Sequence, residues 1–179
     1  KSPFADKKIE FFLKNAKFDL KAKTPSSGIY EKSNFVVIAT PTNYGDTAHF
    51  FNTDSVEETI RNALDENPKI IIIIRSTVPV GFTEQMIERY QTKNIYFVPE
   101  FLREGNALGD NFNPTRILIG GLGDKFEVIE SLFKEGAKKK DINVLAMSPS
   151  EAESSKLFSN TYLAMRVAFF NELDSFAYT

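Results

Sequence analysis

Short runs of consecutive apolar residues alternate along the chain with segments whose apolar residues recur every three or four positions. The continuous runs are rich in β-branched residues, which is typical of strands buried on both faces of a sheet. The spaced pattern is typical of amphipathic helices. The continuous runs predict strands over Phe35–Ala39, Ile70–Ile74, Ile95–Val98, Arg116–Ile119 and Val144–Ala146. The spaced pattern predicts helices over Phe4–Lys14, Asp54–Leu64, Thr83–Tyr90, Phe126–Phe133 and from Ser148 to the end of the chain.

Local signals refine this outline. Asp54 is the expected N-cap of its helix, and a short strand is expected near Phe18 to Leu20. The stretch Gly121-Leu122-Gly123 follows a strand, but the third glycine of a dinucleotide-binding fingerprint would fall at Phe126, so we interpret this stretch as a turn. Because strands and helices alternate at intervals of about thirty residues, the sequence predicts an α/β fold with right-handed βαβ units and a parallel sheet covered by helices.

The last helix is apolar on nearly all of its faces between Leu157 and Phe170, a pattern that is normally buried. Lys156 and Asn160 interrupt it four residues apart, so their side chains share one face. An ammonium and a carboxamide placed together can stabilise a developing oxyanion. The same pair is equally compatible with capping a loop or facing water.

Composition excludes several classes of function. Among 179 residues, 42% are hydrophobic and seventeen are Phe, which supports a packed core, and the net charge of −2 gives no basic surface for nucleic acid or an anionic membrane. The chain has no cysteine and one histidine, His49, so we expect no disulfide, cysteine nucleophile or metal site from it. Its longest apolar run, Ile70–Ile74, is too short to span a bilayer, and with no export leader the expected location is cytoplasmic.

Three polar segments each follow a predicted strand directly. They are Thr40–Tyr44, Arg75–Gly81 and Pro99–Gly105. Ligands of open parallel sheets bind beyond the carboxyl ends of the strands, so these segments are expected to gather at one edge and to suit a ligand with sugar hydroxyls. Glu100 and Glu104 would share a face if a helical turn began there. Each segment alone is also compatible with ordinary loop chemistry, and the two carboxylates with a solvated acidic turn.

These segments resemble the UDP-glucose 6-dehydrogenase family of nucleotide-sugar dehydrogenases. The matching stretches are collinear and cover nearly the whole chain. They are Ser2-Pro3 with Asp6, Ala39–Tyr44, Ser76–Thr83, Pro99–Leu108, Asp110, Asn113–Arg116 and Glu151–Ala177. The resemblance implies oxidation of UDP-glucose to UDP-glucuronate with two NAD, in a cytoplasmic enzyme of polysaccharide biosynthesis.

The resemblance also implies roles for individual residues. The NAD site would be lined by Thr40, Pro41, Thr42, Asn43, Tyr44, Ser76, Thr77, Val78 and Glu104. Thr77 would also help to hold the catalytic water. The sugar nucleotide would contact Glu100, Phe101, Leu102, Arg103, Glu104, Lys156 and Asn160. Of these, Glu100 resembles the acid/base carboxylate, and Lys156 with Asn160 would stabilise the oxyanion, with Lys156 assisting the first deprotonation.

The sequence departs from the family's pattern in ways that limit this assignment. It lacks the G-x-G-x-x-G turn that opens the family's Rossmann-like domain, and the catalytic cysteine would lie beyond Thr179. We therefore expect residues 1–147 to be the remainder of that domain and 148–179 a long central helix that begins a dimerisation domain. This chain alone is expected to be inactive. The alternatives are a GDP-mannose 6-dehydrogenase, or a non-catalytic binding or dimerisation module.

Overall fold

The computed structural model describes residues 7–17, 19–24, 28–42, 51–103 and 105–178. Within these ranges the chain forms a sheet in the order β1-β2-β3-β4-β5, flanked by helices. The elements in chain order are α1 (Lys7–Asn15), β1 (Phe35–Ile38), α2 (Asp54–Glu66), β2 (Ile71–Ile74), α3 (Phe82–Tyr90), β3 (Ile95–Phe97), α4 (Ala107–Phe112), β4 (Arg116–Gly120), α5 (Phe126–Gly136), β5 (Asn143–Met147) and α6 (Pro149–Ala177).

The interior strand β2 explains the layered packing. All four of its isoleucines are buried, and successive side chains point to opposite faces of the sheet. Ile72 and Ile74 join a core with residues of α2, α3 and the start of α6. Ile71 and Ile73 join a second core on the other face, with residues of β4 and α5. The run of consecutive isoleucines therefore reflects a strand covered by helices on both sides.

The structure confirms the predicted α/β class and the main elements, and it corrects several details. The N-cap of α2 is Thr53, whose carbonyl oxygen accepts the N–H groups of Val56 and Glu57, so Asp54 lies in the first helical turn instead. The strand expected near Phe18 does not form over residues 19–23, and Phe18 itself lies outside the described residues. The predictions for residues 4–6 lie outside them as well.

The direction of β4 is the main correction to the predicted parallel sheet. β1, β2 and β3 are parallel and β5 is parallel to β4, but β4 runs antiparallel to β3. A parallel return needs a connection, usually a helix, that runs back along the length of the strands, and α4, at about 9 Å long, is shorter than the five-residue strand β4. Because β3 and β4 pair only at Phe97 and Gly120, most of β4 extends past the end of β3.

The loop after β4 confirms the turn predicted at Gly121-Leu122-Gly123, and it shows why glycines stand there. A Cβ on Gly121 would lie 2.2 Å from the ring of Tyr96, and one on Gly123 would lie 2.2 Å from the Tyr96 hydroxyl oxygen. That hydroxyl oxygen accepts the N–H of Lys125 at 2.9 Å. The two glycines therefore make room for a buried tyrosine.

The burial expected for the last helix between Leu157 and Phe170 is not provided by the described residues of this chain. α6 begins with a capping box between Ser148 and Glu151, and its first two turns pack on the sheet. Phe158 and the described residues from Asn160 onward are exposed, including Phe169 at 63% and Phe176 at 76%. A helix that is apolar on all of its faces is normally covered by other protein surface. The described part of the chain covers only the first two turns of α6.

Candidate functional site

The three polar segments predicted to meet do lie side by side. They leave the carboxyl ends of β1, β2 and β3, which are adjacent and parallel. The main chain joins them directly, because the N–H of Arg75 donates to the carbonyl oxygen of Ile38 and the N–H of Val98 donates to that of Ile74. These segments form one continuous polar edge.

The segments after β1 and β2 are held together by their hydroxyl groups. The Ser76 hydroxyl donates to the carbonyl oxygen of Thr40 at 2.6 Å, and the Thr42 hydroxyl donates to that of Thr77 at 2.6 Å. Ser55, in the first turn of α2, donates to the Thr40 hydroxyl oxygen at 3.0 Å. These two loops therefore have a defined relative position before any ligand binds.

The exposure of these residues differs along the two loops. Pro41 is exposed, and Thr40, Thr42 and Thr77 are partly exposed. Ser76 and Val78 are buried. The predictions for Asn43 and Tyr44 lie outside the described residues.

The segment after β3 forms neither a strand nor a helix over residues 98–103. The expected helical turn at Glu100 therefore does not form over the described residues, and Glu104 lies outside them. The Glu100 carboxylate is 3.9 Å from the guanidinium of Arg75. Phe101 and Leu102 are partly buried and Arg103 is exposed.

The antiparallel strand β4 forms a wall beside this segment. Continuing its register from the Phe97–Gly120 pair brings Arg116 opposite Phe101, and the Arg116 guanidinium carbon is 4.5 Å from the centre of the Phe101 ring. A cavity of about 390 Å³ lies here. Its lining includes Arg75, Glu100, Phe101, Arg103, Asp110, Asn113, Arg116 and Phe133.

Asp110 fixes the outer part of this loop. Its carboxylate accepts the Arg103 main-chain N–H at 2.8 Å and two guanidinium hydrogen bonds from the same residue at 2.6 and 3.2 Å. The Asn106 amide adds a fourth bond at 2.8 Å. These hydrogen bonds, first of all those from Arg103, hold the pKa of Asp110 well below its ordinary value.

Lys156 brings α6 to the site. Its Nζ donates to the main-chain carbonyl oxygen of Glu100 at 2.6 Å and lies 5.7 Å from the centre of the Phe101 ring. Burial lowers the pKa of Lys156, the Glu100 carboxylate raises it, and the Arg75 charge lowers it. Asn160, one turn further along, is exposed. The structure therefore joins Lys156 to the Glu100 loop and leaves Asn160 at the solvent side of the same helix.

Glu153 fastens the same helix to a second loop. It is 1% exposed, and its two carboxylate oxygens accept the N–H groups of Gly81 and Thr83 at 2.6 and 2.8 Å. Burial raises the pKa of Glu153, an effect opposed by the hydrogen bonds from Thr83 and Gly81. One turn of α6 thus contacts both the loop after β2 and the loop after β3.

Sequence reasoning gave no individual site role to Arg75, Arg116 or Glu153, although Arg75 belongs to the predicted polar segment Arg75–Gly81. Arg75 had a usable signal, since it is a charge that directly follows five isoleucines. Glu153 is an acidic residue in the turn before Lys156, but sequence alone does not reveal its partners. Within the described ranges, no group of three or more His, Cys, Asp or Glu side chains is arranged to hold a metal, and none of the helices is long and apolar enough to cross a membrane.

Comparison with known proteins places this chain in a family. Residues 1–137 match the model of the UDP-glucose/GDP-mannose dehydrogenase family, NAD binding domain. The chain is 47% identical over 178 residues to the UDP-glucose 6-dehydrogenase of Campylobacter jejuni and 41% identical over 183 residues to that of Streptococcus pneumoniae. Both matches include 99% of this chain, but they span only 45% and 46% of the length of those two relatives.

Solved structures agree with this placement. A UDP-glucose dehydrogenase from Pyrobaculum islandicum superposes with a TM-score of 0.67 at 33% identity, over 80% of this chain and 35% of that one. A ternary complex of GDP-mannose dehydrogenase from Pseudomonas aeruginosa superposes with a TM-score of 0.73 at 21% identity, over 96% of this chain and 42% of that one, which shows the shared fold. The sheet, its polar edge and the match over residues 1–137 together establish that this chain belongs to the UDP-glucose/GDP-mannose dehydrogenase family.

Proposed function

We propose that a full-length dehydrogenase carrying this chain oxidises UDP-glucose to UDP-glucuronate in two successive NAD-dependent steps. The observation that carries this proposal is the 2.6 Å contact between the Lys156 ammonium and the Glu100 carbonyl oxygen, which puts a cation beside the polar edge of the sheet. The relatives named UDP-glucose 6-dehydrogenase, at 47% and 41% identity, support UDP-glucose as the substrate.

The cofactor side of the site is assigned to the loops after β1 and β2. The partly exposed hydroxyls of Thr40, Thr42 and Thr77 suit the ribose hydroxyls of a dinucleotide, and the hydrogen bonds between the two loops preset their spacing. These residues account for the ribose part of NAD only. The sequence has no G-x-G-x-x-G turn that would bind the pyrophosphate. Pro41, Ser76 and Val78 complete the proposed lining, and the roles of Asn43, Tyr44 and Glu104 rest on sequence alone.

The substrate side is assigned to Glu100–Arg103 together with Lys156 and Asn160. NAD, when bound, accepts the hydride that leaves the sugar carbon. The Lys156 ammonium and the Asn160 carboxamide would stabilise the oxyanion on that carbon as its hydroxyl proton is lost. Glu100 would act as the acid/base group and Thr77 would help to hold the water that is consumed. The lowered pKa of Lys156 suits it to assist the first deprotonation.

Steady-state assays of the full-length dehydrogenase test this function. We expect two NADH per UDP-glucose consumed, and a kcat/KM for UDP-glucose well above that for GDP-mannose. The absence of NADH formation with UDP-glucose contradicts the proposal. A preference for GDP-mannose transfers the assignment to the other branch of the family.

We further propose that the exposed part of α6 pairs with a second copy of the chain in a homodimer. Its exposed apolar residues occur on successive turns, for example Leu163, Val167 and Phe170, and a surface of this kind marks an interaction site. The proposed boundary between residues 1–147 and 148–179 falls at the N-cap of this helix. A cytosolic location is kept as a proposal that follows from the family assignment.

A further inference from the structure

Two cations of the site, Arg75 and Lys156, lie next to Glu100. The Glu100 carboxylate lies 3.9 Å from the Arg75 guanidinium, while the Lys156 ammonium bonds the main-chain carbonyl oxygen of the same Glu100 at 2.6 Å. The lysine is therefore paired with the backbone of Glu100 and not with its charge. The Glu100 carboxylate lies instead beside the guanidinium of Arg75.

Arg75 is the fixed member of this group. Its main-chain N–H is tied to the sheet by a 2.8 Å bond to the Ile38 carbonyl oxygen, and its guanidinium carbon lies 5.1 Å from the centre of the Phe133 ring. The Arg75 side chain is 15% exposed, against 41% for Glu100. A stacked guanidinium with little freedom is a good anchor, and the more exposed carboxylate is the group that moves.

We propose that Arg75 is a positioning residue that holds the Glu100 carboxylate away from the Lys156 ammonium. This inference rests on the proposed function, because it concerns the protonation of the lysine in that reaction. Without Arg75 the Glu100 side chain turns toward Lys156 and forms an ion pair. Lys156 then keeps its proton to higher pH and is a poorer base for the first deprotonation.

The charges around Lys156 are consistent with this role. Burial and the Arg75 charge lower the pKa of Lys156, and the Glu100 carboxylate opposes them. Arg116 of β4 also contacts the Phe101 ring and adds a positive charge on that side. Glu153, on the same helix as Lys156, is occupied by the main-chain N–H groups of Gly81 and Thr83. Loss of Arg75 therefore acts on Lys156 in two ways, directly through the lost charge and indirectly through Glu100, and a Glu100 variant separates the two.

The test compares Arg75→Met and Arg75→Lys with Arg89→Met in the full-length dehydrogenase. Arg89 is a matched control, since it also pairs with a carboxylate, Glu57 at 2.8 Å, and contacts an aromatic ring, Tyr90. The pH dependence of kcat is measured together with the pH dependence of labelling of Lys156 by an amine reagent, followed by peptide mass spectrometry. The labelling does not depend on activity.

For Arg75→Met we expect both profiles to move to higher pH by about one unit, with about a tenfold lower kcat at neutral pH. Arg75→Lys restores part of the shift because it keeps a charge, and Arg89→Met leaves both profiles unchanged. In a Glu100→Gln background, Arg75→Met produces a smaller shift in the pH profile of Lys156 labelling.

If the enzyme is active and both Arg75 variants leave the two pH profiles unchanged, the proposed role of Arg75 is overturned, while the proposed function stands. A wild type that does not oxidise UDP-glucose overturns the proposed function as well, and Arg75→Lys keeps the test decisive if Arg75→Met fails to fold.

Discussion

The Nζ atom of Lys156 donates a 2.6 Å hydrogen bond to the main-chain carbonyl oxygen of Glu100, a residue 56 positions earlier in the chain. This contact fixes the start of α6 against the loop that follows β3. Because a carbonyl oxygen cannot be lost by side-chain substitution, the lysine remains anchored whatever side chain stands at position 100. The predictions below follow from this arrangement and from the contacts around it.

Replacing Lys156 with Met should lower kcat by about 10²–10³-fold, because the cation proposed to stabilise the oxyanion is lost. Steady-state kinetics of the full-length dehydrogenase measure this effect. Lys134→Met is the control, since Lys134 pairs with Glu130 on the surface of α5 and should leave kcat unchanged. An unaltered kcat in Lys156→Met would exclude the lysine from the chemistry.

Replacing Glu153 with Ala should lower the free energy of unfolding by about 2–4 kcal/mol, because the buried N–H of Thr83 and the partly buried N–H of Gly81 lose their acceptor. Guanidinium denaturation measures the change. Glu58, exposed on α2, is the control, and Glu58→Ala should change stability by less than about 0.5 kcal/mol.

The same residue gives a pH prediction, tested with Glu153→Gln. The pKa of Glu153 is raised in the folded state, so the folded protein binds this proton more tightly than the unfolded chain does. The resulting stability is present below the ordinary pKa of a glutamate and is lost as the pH rises through the folded pKa. Wild type should therefore lose stability relative to Glu153→Gln as the pH rises from about 4 to neutrality. The free energy of unfolding of both proteins, measured at a series of pH values, tests this prediction. A difference between them that does not change with pH would contradict it.

The difference in stability between wild type and Asp110→Asn should change with pH in the opposite direction to that for Glu153→Gln. Because the pKa of Asp110 is lowered in the folded state, its contribution is present above the ordinary aspartate pKa and is lost as the pH falls through the folded value. The wild-type advantage over Asp110→Asn should therefore shrink steadily below about pH 4. Thermal unfolding at a series of pH values measures this, and a difference that is constant with pH would contradict the prediction.

Replacing Gly120 with Ala should destabilise the protein by about 1–3 kcal/mol through overpacking. The added Cβ would lie 2.7 Å from the Cβ of Ala152 and 3.0 Å from the Cα of Pro149, so α6 would have to move off β4. Gly136→Ala is the control, because nothing lies within 4 Å of its added Cβ and alanine favours a helix. Denaturant titration of both variants should give changes of opposite sign.

Placing charges on the exposed face of α6 should dissociate the proposed homodimer. Leu163→Glu with Val167→Glu puts two carboxylates on adjacent turns that are 56% and 62% exposed. Sedimentation velocity should then report half the wild-type mass. Val128→Glu on α5, also an exposed apolar position, should leave the mass unchanged, and a wild type that is already monomeric would contradict the proposal.

Much of the fold could be predicted because buried strands and amphipathic helices leave strong periodic signals. The isoleucine run of β2 and the spacing in α2 fixed both the type and the place of those elements. Strand direction leaves no such signal, so the reversal of β4 was missed. α4 was missed because its sequence, Ala-Leu-Gly-Asp-Asn-Phe, has no apolar period. In the site, residue types at strand ends were informative, whereas the partners of Arg75 and Glu153 depend on tertiary contacts.

The two ends of α6 have different surroundings, and this has a mechanical consequence. The first turns are clamped to two loops by Glu153 and Lys156, while an unbroken helix of about 32 Å extends from Lys156 into an exposed apolar surface. An unkinked helix transmits a tilt along its whole length, so it behaves as a lever. In the proposed homodimer, a second subunit bound to the exposed part of α6 would therefore influence the position of Lys156 in the proposed substrate site.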